Sequence, residues 1–286
     1  MRLSVSLVTY MQSPDELRPV MESITHSPLV KRLQIIDNSP TNELEPFLTA
    51  FSCVEYLHNP SNPGFGASHN IALRRSLEEN IPYHLIVNPD VSFDSSILDE
   101  LLDYMDKTHE AGLITPKIVY PDGSLQHHCK LLPTPWDWFV RGFVPLERCK
   151  EQVNRRFELK EFGYDQIADI PYLNGSFMLF RTSALQVSGI FDERFFMYSE
   201  DTDLTRRIHS VYRTLFYPFV SVTHTFNRES HRNPRLFLIQ IYSTILYFSK
   251  WGWFTDEERK TINKTVLQTL FPAPVEPYGE DQEEVY

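Results

Sequence analysis

The sequence predicts an α/β protein built on a mostly parallel sheet with helices on its faces. Strand-like and helix-like patterns alternate through the first half of the chain, the signature of strands joined by helical crossovers. Apolar residues make up 42% of 286 positions, enough for a sizeable core. Two strand-like runs end in acidic or amide residues, Ile36-Asp37-Asn38 and Val87-Asn88-Pro89-Asp90. Open α/β sheets bind ligands at such carboxyl ends.

Taken in order, Leu3 to Val8 alternates as a first strand, and Glu16 to Thr25 is a helix. Leu33 to Ile36 and Val54 to Leu57 are two further strands. Gly64-Phe65-Gly66 precedes a helix over Ala67 to Leu77, and His84 to Val87 is the fourth strand. Ile97 to Met105 is helical again. Ile118 to His127 reads as a hairpin about Pro121-Asp122-Gly123, where proline presets φ and glycine accepts a positive one. Pro133 to Asp169 has weak periodicity and reads as a long loop with one helix. Gly175 to Phe180 is an apolar strand, and Leu204, Ile208 and Val211 mark a helix. A strongly apolar helical segment covers Leu236 to Trp253, and Glu276 to Tyr286 holds five acidic groups as a solvated tail. No internal repeat is present.

The formal charge of −11 argues against a nucleic-acid binder, which carries a basic face. It leaves room for an anionic ligand held by a local site and a metal ion. Cys53, Cys129 and Cys149 form no C-x-x-C pair, so neither a disulfide framework nor a zinc site is expected, and a reducing cytosol is the natural setting. The N-terminus is an alternating strand rather than a signal peptide. The most apolar run, Leu236 to Phe248, is interrupted by Gln240, Ser243 and Thr244. Contact with a membrane is therefore expected from its surface only.

Four groups of residues could carry chemistry. Asp90 follows a strand where a carboxylate can hold Mg²⁺ or Mn²⁺ that shares substrate phosphate oxygens; it could equally cap the next helix. Asn62-Pro63-Gly64-Phe65-Gly66-Ala67-Ser68-His69-Asn70 puts glycines before a helix, where a backbone can approach an anion, although an ordinary helix start has the same appearance. No G-x-G-x-x-G follows the first strand, which disfavours a dehydrogenase. The run Tyr198-Ser199-Glu200-Asp201-Thr202-Asp203 gathers three carboxylates in four residues. Asp203 fits an N-cap, which leaves Glu200 and Asp201 near the positive end of a helix, where a proton acceptor is well served. His224 is a lone histidine, a structural residue or a ligand.

In this order the pieces resemble the inverting glycosyltransferases of family 2, which have the GT-A fold, and most of all the bacterial rhamnosyltransferase branch that builds O-antigens and capsules. The residues carrying the resemblance are Ile36-Asp37-Asn38-Ser39, Asn62-Pro63-Gly64-Phe65-Gly66 with Asn70, Asn88-Pro89-Asp90-Val91, Asn174-Gly175-Ser176, and the run from Gly189 to Leu204. It implies a Rossmann-like nucleotide-sugar half over 1–115, an acceptor and catalytic half over 116–230, a helical segment over 231–275 and the tail over 276–286. Val8, Thr9 and Tyr10 fall where the family meets the nucleotide, and Asp37 where an acidic residue reads the pyrimidine ring. Asn38, Asn62, Phe65, Gly66 and Asn70 then line the base and ribose. Asp90 matches the last residue of the Asp-x-Asp motif and binds the metal, Mg²⁺ or Mn²⁺. Asn88 stands where that motif has its first Asp, which removes one negative charge, but the rhamnosyl branch shares Asn-Pro-Asp. Asp201 matches the general base, Glu200, Asn174 and Gly175 lie on the acceptor side, and His224 matches a further metal ligand.

The implied reaction is a single in-line displacement with inversion, dTDP-L-rhamnose being the preferred donor and UDP-galactofuranose or another UDP-hexose the alternative. The implied acceptor is a glycan, on a lipid carrier or free, met in the cytoplasm or at the inner face of the cell membrane. Trp136, Trp138, Phe139, Phe143 and the aromatics from Tyr242 to Phe254 could rest on that membrane, pack as core or join two copies as a homodimer. Two rivals remain. A sugar-phosphate nucleotidylyltransferase would need a Gly-, Arg- and Lys-bearing loop after the first strand, which is missing. A non-catalytic glycan-binding protein would have no use for both Asp90 and Asp201.

Overall fold

The computed structural model describes residues 2–225 and 234–272. Four strands, β1 (Leu3–Thr9), β2 (Val30–Asp37), β3 (Val54–His58) and β4 (Tyr83–Val87), pair in parallel in the order β3-β2-β1-β4. Their crossovers carry α1 (Pro14–Thr25), α2 (Glu45–Leu48) and α3 (Phe65–Glu78). Ser13 and Glu16 form a reciprocal capping box that starts α1, with Pro14 at the first helical position. Leu17, Val20, Met21 and Ile24 then recur at helical spacing and are all buried against the sheet.

After β4 come β5 (Val91–Ser92), α4 (Ile97–Lys107), β6 (Ala111–Val119) and β7 (Cys129–Lys130). The middle of the chain holds α5 (Pro135–Phe143), α6 (Glu147–Phe157), β8 (Ala168–Asp169) and β9 (Tyr172–Leu173). Then follow β10 (Phe177–Arg181), α7 (Thr182–Ser188), α8 (Glu200–His209), β11 (Arg213–His224), α9 (Pro234–Trp251) and α10 (Glu257–Leu270). The main sheet runs β3-β2-β1-β4-β10-β6-β11-β5, with β8 on β11. Parallel pairs account for most of its length, and β10 is inserted antiparallel between β4 and β6. That insertion brings the start of β10 beside the end of β4, Phe177 opposite Val87. The smaller ribbon is β7 paired with β9, Lys130 opposite Tyr172.

Both faces of the sheet are covered. Leu3, Val5 and Leu7 face α1 and α4, while Ile86, Leu113 and Phe180 face the cluster that includes Leu73, Ala184, Leu204 and Ile208. Several sequence expectations change here. The 133–169 segment is two helices and a 3₁₀ turn over Lys160–Phe162, not a loop with one helix. A second capping box, Thr134 with Asp137, starts α5. Asp203 is not an N-cap: α8 begins at Glu200 after two successive left-handed residues, Tyr198 (φ 70°) and Ser199 (φ 66°). The Asp203 carboxylate accepts instead from Arg207, Lys250 and Trp251 Nε1 (2.8 Å), which ties α9 to α8. Trp138 packs with Phe195, Tyr247 and Phe248, whereas Trp136, Phe139, Phe143, Tyr242 and Phe254 are exposed. The acidic tail lies outside the described residues. Among the described residues no helix is long and apolar enough to cross a membrane.

A polar chain is sealed inside the sheet–α3 layer. Ser6 Oγ lies 2.7 Å from His69 Nδ1 and 2.8 Å from His84 Nε2, and Ser76 Oγ lies 2.8 Å from His84 Nδ1. Burial holds His69 well below the usual 6.5, His84 down to about 3 and His128 down to about 4. Below the unfolded value of 6.5 the unfolded chain binds protons that the folded one refuses. Stability therefore falls with acidification from about pH 6.5 toward pH 4 and 3, by about 1.4 kcal/mol per pH unit for each histidine. Urea unfolding near neutrality and at about pH 5 measures this, and equal stabilities would contradict it.

Candidate active site

Parallel strands end on one edge, and that edge gathers most of the residues singled out above. Thr9 closes β1 and Asp37 closes β2; Asn88, Pro89 and Asp90 follow β4; Asn174, Gly175 and Ser176 precede the reversed β10. His224 closes β11, beside Val91. The Asn88 N–H donates to Ser176 O at 2.9 Å, which joins two of these runs directly.

Asp90 and His224, 134 positions apart (224 − 90), meet with His224 Nε2 3.3 Å from Asp90 Oδ1. The other ring nitrogen, Nδ1, lies 3.0 Å from Gln126 Oε1, and Gln126 Nε2 donates to the His224 carbonyl at 2.8 Å. An acceptor at Nδ1 requires the proton there and turns Nε2 toward Asp90, the orientation that metal-ligating histidines take. A carboxylate and an imidazole held in this way fit Mg²⁺ or Mn²⁺, whose remaining positions go to water and phosphate oxygens. Asn88 Oδ1 is buried without a hydrogen-bond partner among the described residues, a second oxygen on the same loop. No group of three or more His, Cys, Asp or Glu side chains that could hold a metal is present among the described residues, so the protein offers two ligands rather than a cage.

Asp201 lies in the first turn of α8 and is 9% exposed. Its Oδ2 accepts from the Gly175 N–H at 3.0 Å, and its Oδ1 accepts from the Thr202 N–H at 2.7 Å. Gly175 lets this happen, since a Cβ there would stand 3.3 Å from the Asp201 Cβ. Burial raises the Asp201 carboxyl above its ordinary value, while Lys130 and the two N–H donors pull it back. Glu200 is pushed well above its ordinary value, by burial first and then by the Asp201 charge, and its Oε2 has no partner. Two buried carboxyls side by side cannot both ionise cheaply. Burial favours the protonated form of both, and more strongly that of Glu200, because Lys130 and the two N–H donors act on Asp201.

The nucleotide side differs in detail from what the sequence suggests. Asp37 is fully buried, and its oxygens accept from Thr9 Oγ1 (3.0 Å), the Ser39 N–H (3.0 Å) and Tyr56 OH (2.8 Å). Asp37 is thus a hub of the strand ends, and Tyr56, whose hydroxyl burial and this carboxylate hold up, stands between it and solvent. Asn38 pairs with Ser68 Oγ at 2.8 Å. Asn70 is fully buried, donating to Phe191 O and Glu193 and accepting from the Phe191 N–H. It bolts α3 to the chain before α8. The glycines have a similar task. Gly64 has φ 102°, and a Cβ there would stand 2.2 Å from Phe196 O, while one at Gly66 would meet Phe191 Cβ at 2.9 Å. The Phe65 N–H at the start of α3 donates to Phe196 O, so one of the N–H groups of this helix end is taken. Val8, Tyr10, Asn62 and Phe65 keep partial or full exposure along the same edge.

Sequence reasoning missed Lys130 and Tyr172. The Lys130 ammonium sits 5.0 Å from the centre of the Tyr172 ring and within electrostatic reach of Asp201. Burial, with Arg141 second, lowers its pKa. Two-residue strands have no readable periodicity, so nothing in the sequence marks either residue.

The family model described as Glycosyl transferase family 2 matches residues 4–188, about two thirds of the chain. The protein is a family 2 glycosyltransferase. It is 29% identical over 191 residues to N-acetylglucosaminyl-diphospho-decaprenol L-rhamnosyltransferase of Mycobacterium tuberculosis, spanning 62% of this chain and 59% of that one. It is 25% identical over 232 residues to rhamnosyltransferase WbbL of Escherichia coli, spanning 78% of this chain and 82% of that one. Among solved structures, S. aureus TarS 1–349 in complex with UDP superposes with a TM-score of 0.55 at 14% identity, over 96% of this chain and 73% of that one. GalNAc-T7 with UDP, GalNAc and Mn²⁺ gives 0.63 at 14% identity, over 90% of this chain and 49% of that one. At such identities the solved structures share the GT-A fold alone. The matched 4–188 contains Asp37, Asp90 and Gly175 of this glycosyltransferase, while Asp201 and His224 lie beyond it.

Proposed function

We propose that this glycosyltransferase moves L-rhamnose from dTDP-L-rhamnose to a hydroxyl of a lipid-linked glycan, with inversion at the anomeric carbon. The observation that carries the reading is the pairing of groups at one edge: a buried Asp201, held by the Gly175 and Thr202 N–H groups and next to Glu200, and Asp90 against His224. Both relatives bear rhamnosyltransferase names, and the mycobacterial one is named for a diphospho-decaprenol substrate. The alignment spans 59% of that relative's length, so substrate and carrier are inferred. UDP-galactofuranose or another UDP-hexose is the second reading, favoured by the UDP in TarS and GalNAc-T7.

In this reading residues 1–115 hold the nucleotide, with Tyr10 exposed at the end of β1 to meet the base, and residues 116–230 hold the acceptor. Asp201 takes the proton from the attacking hydroxyl, its Oδ2 oriented by Gly175. Glu200 keeps its proton and donates a hydrogen bond to a substrate oxygen, and Lys130 holds Asp201 ionised between turnovers. Asp90 and His224 would hold Mg²⁺ or Mn²⁺, which when bound offsets charge on the departing diphosphate. A lipid-linked acceptor brings the enzyme to a membrane surface, and the exposed Trp136, Phe139 and Phe143 suit that contact.

Release of dTDP or UDP from a panel of nucleotide sugars tests the donor. Turnover with dTDP-L-rhamnose above all UDP-sugars is expected, and the reverse order would install the second reading. EDTA is expected to abolish transfer, with Mg²⁺ or Mn²⁺ restoring it. His224→Ala should raise the Mn²⁺ concentration needed for half-maximal activity by about 10- to 100-fold. Full activity in chelator would remove the metal from the mechanism.

A further inference from the structure

Asp201, Asp90 and His224 are absent from the walls of a groove of about 590 Å³ that lies between the end of α6 and one stripe of α10. Lys260, Lys264, Leu267 and Phe271 line it, positions that recur at helical spacing and so share one face of α10. Arg156, from the last turn of α6, lines the facing wall. Neither Arg156 nor Lys264 forms an ion pair among the described residues, and Lys260 pairs only with the exposed Glu257. In a chain of net charge −11 with 38 acidic residues, a groove lined by Arg156, Arg259, Lys260 and Lys264 and by no carboxylate is a local reversal of sign, Arg259 being the one of the four that is held by Asp256. Unpaired guanidinium and ammonium groups recognise phosphate oxygens. The apolar Leu267 and Phe271 beside them ask for a ligand that is both anionic and greasy.

The surroundings point the same way. Thr134 forms one lip of the groove, and α5 leaves from it with Trp136, Phe139 and Phe143 exposed at i, i+3 and i+7. An apolar chain emerging from the groove has that aromatic face to follow. The groove is also bolted to the catalytic elements. Asn263 exchanges hydrogen bonds of 2.9 Å with the Leu132 N–H and C=O, two residues beyond Lys130. Asp256, which caps α10, forms a bidentate pair with Arg206 of α8, the helix that carries Asp201 in its first turn.

We propose that the α6–α10 groove binds the diphosphate and first isoprene units of a prenyl-diphosphate carrier, with Arg156, Lys260 and Lys264 on the phosphates and Leu267 and Phe271 on the chain. This rests on the reading of the acceptor as lipid-linked, and it assigns that carrier a place separate from the donor diphosphate. The experiment is calorimetry of the full chain with farnesyl diphosphate after the donor site is saturated with dTDP, beside inorganic pyrophosphate and phosphatidylglycerol vesicles. Farnesyl diphosphate is expected to bind, and pyrophosphate to bind much more weakly. Arg156→Glu with Lys264→Glu, both at exposed positions, should weaken farnesyl diphosphate about tenfold or more and leave dTDP affinity unchanged. Equal binding by wild type and double variant would overturn the assignment. So would pyrophosphate matching farnesyl diphosphate, which means an unspecific anion site. Capture by the anionic vesicles through these residues without farnesyl diphosphate binding would give the groove to a headgroup instead. Binding that appears only when Glu276, Glu280, Asp281, Glu283 and Glu284 are all replaced by amides would give it to the chain's own C-terminal segment. Intact dTDP binding and donor hydrolysis in every arm separate failure of this proposal from failure of the glycosyltransferase reading.

Discussion

Asp201→Asn lowers kcat by about 10²- to 10⁴-fold with donor affinity unchanged. The amide keeps the shape of the carboxylate, but its single oxygen can accept from only one of the Gly175 and Thr202 N–H groups, which in the native protein donate to different oxygens at 3.0 and 2.7 Å. It cannot take a proton. The native carboxyl is raised above its ordinary value by burial, so it is a stronger base than an exposed aspartate. The rate should therefore fall with acidification from a pH above the usual carboxylate range, with the apparent value belonging to the Glu200–Asp201 pair. The same shift has a sign for stability. A folded carboxyl that keeps its proton longer than the unfolded one stabilises at low pH, and this is lost as pH rises through the folded value. At neutral pH Asp201→Asn removes a buried charge, so the variant should melt no lower than the native protein. Glu200→Gln mimics the protonated acid and should stay near native in rate. Single-turnover kinetics with nucleotide titration checks both, and an equal collapse for Glu200→Gln would exchange the two roles.

The second large effect is structural. Arg206 and Asp256 are 1% and 3% exposed and bonded through two contacts of 2.7 Å, with Arg206 stacked 4.0 Å from the Trp251 ring centre. Arg206→Met leaves Asp256, the N-cap of α10, with only the longer 3.7 Å contact to Arg259 in place of a bidentate pair. Breaking a buried pair from one side costs about 3–5 kcal/mol, which is a fall in Tm of roughly 10 °C for a chain of this size. Replacing both partners by apolar residues should recover much of the loss, since the cost lies in the stranded charge. Thermal unfolding of the two single variants and the double variant gives the coupling directly. A loss below about 1 kcal/mol for Arg206→Met would show the pair to be solvated like a surface bridge.

What the sequence determined by itself is what local pattern can encode. Alternation of apolar residues in Leu3, Val5 and Leu7 and helical spacing in Leu17, Val20, Met21 and Ile24 produced the parallel half of the fold, because burial on two sheet faces leaves a periodic trace. The abrupt end of such a run made Asp90 readable, and the family motif made Asp201 and His224 readable. Tertiary structure alone decided the rest. Strands β6 and β11 are long, but both faces are covered, so they lack alternation. Asn70, Gly64 and Gly66 look like ligand-binding residues, yet they serve the crossing of Phe191 and Phe196 over α3, a contact between segments about 120 to 130 positions apart. Lys130 and Tyr172 reach Asp201 only because two two-residue strands pair. The cationic groove needs Arg156 and Lys264 on opposite walls, 108 positions apart (264 − 156). Periodicity reports what one element buries; which side chains of distant elements face each other is set by packing, and no single run of residues contains it.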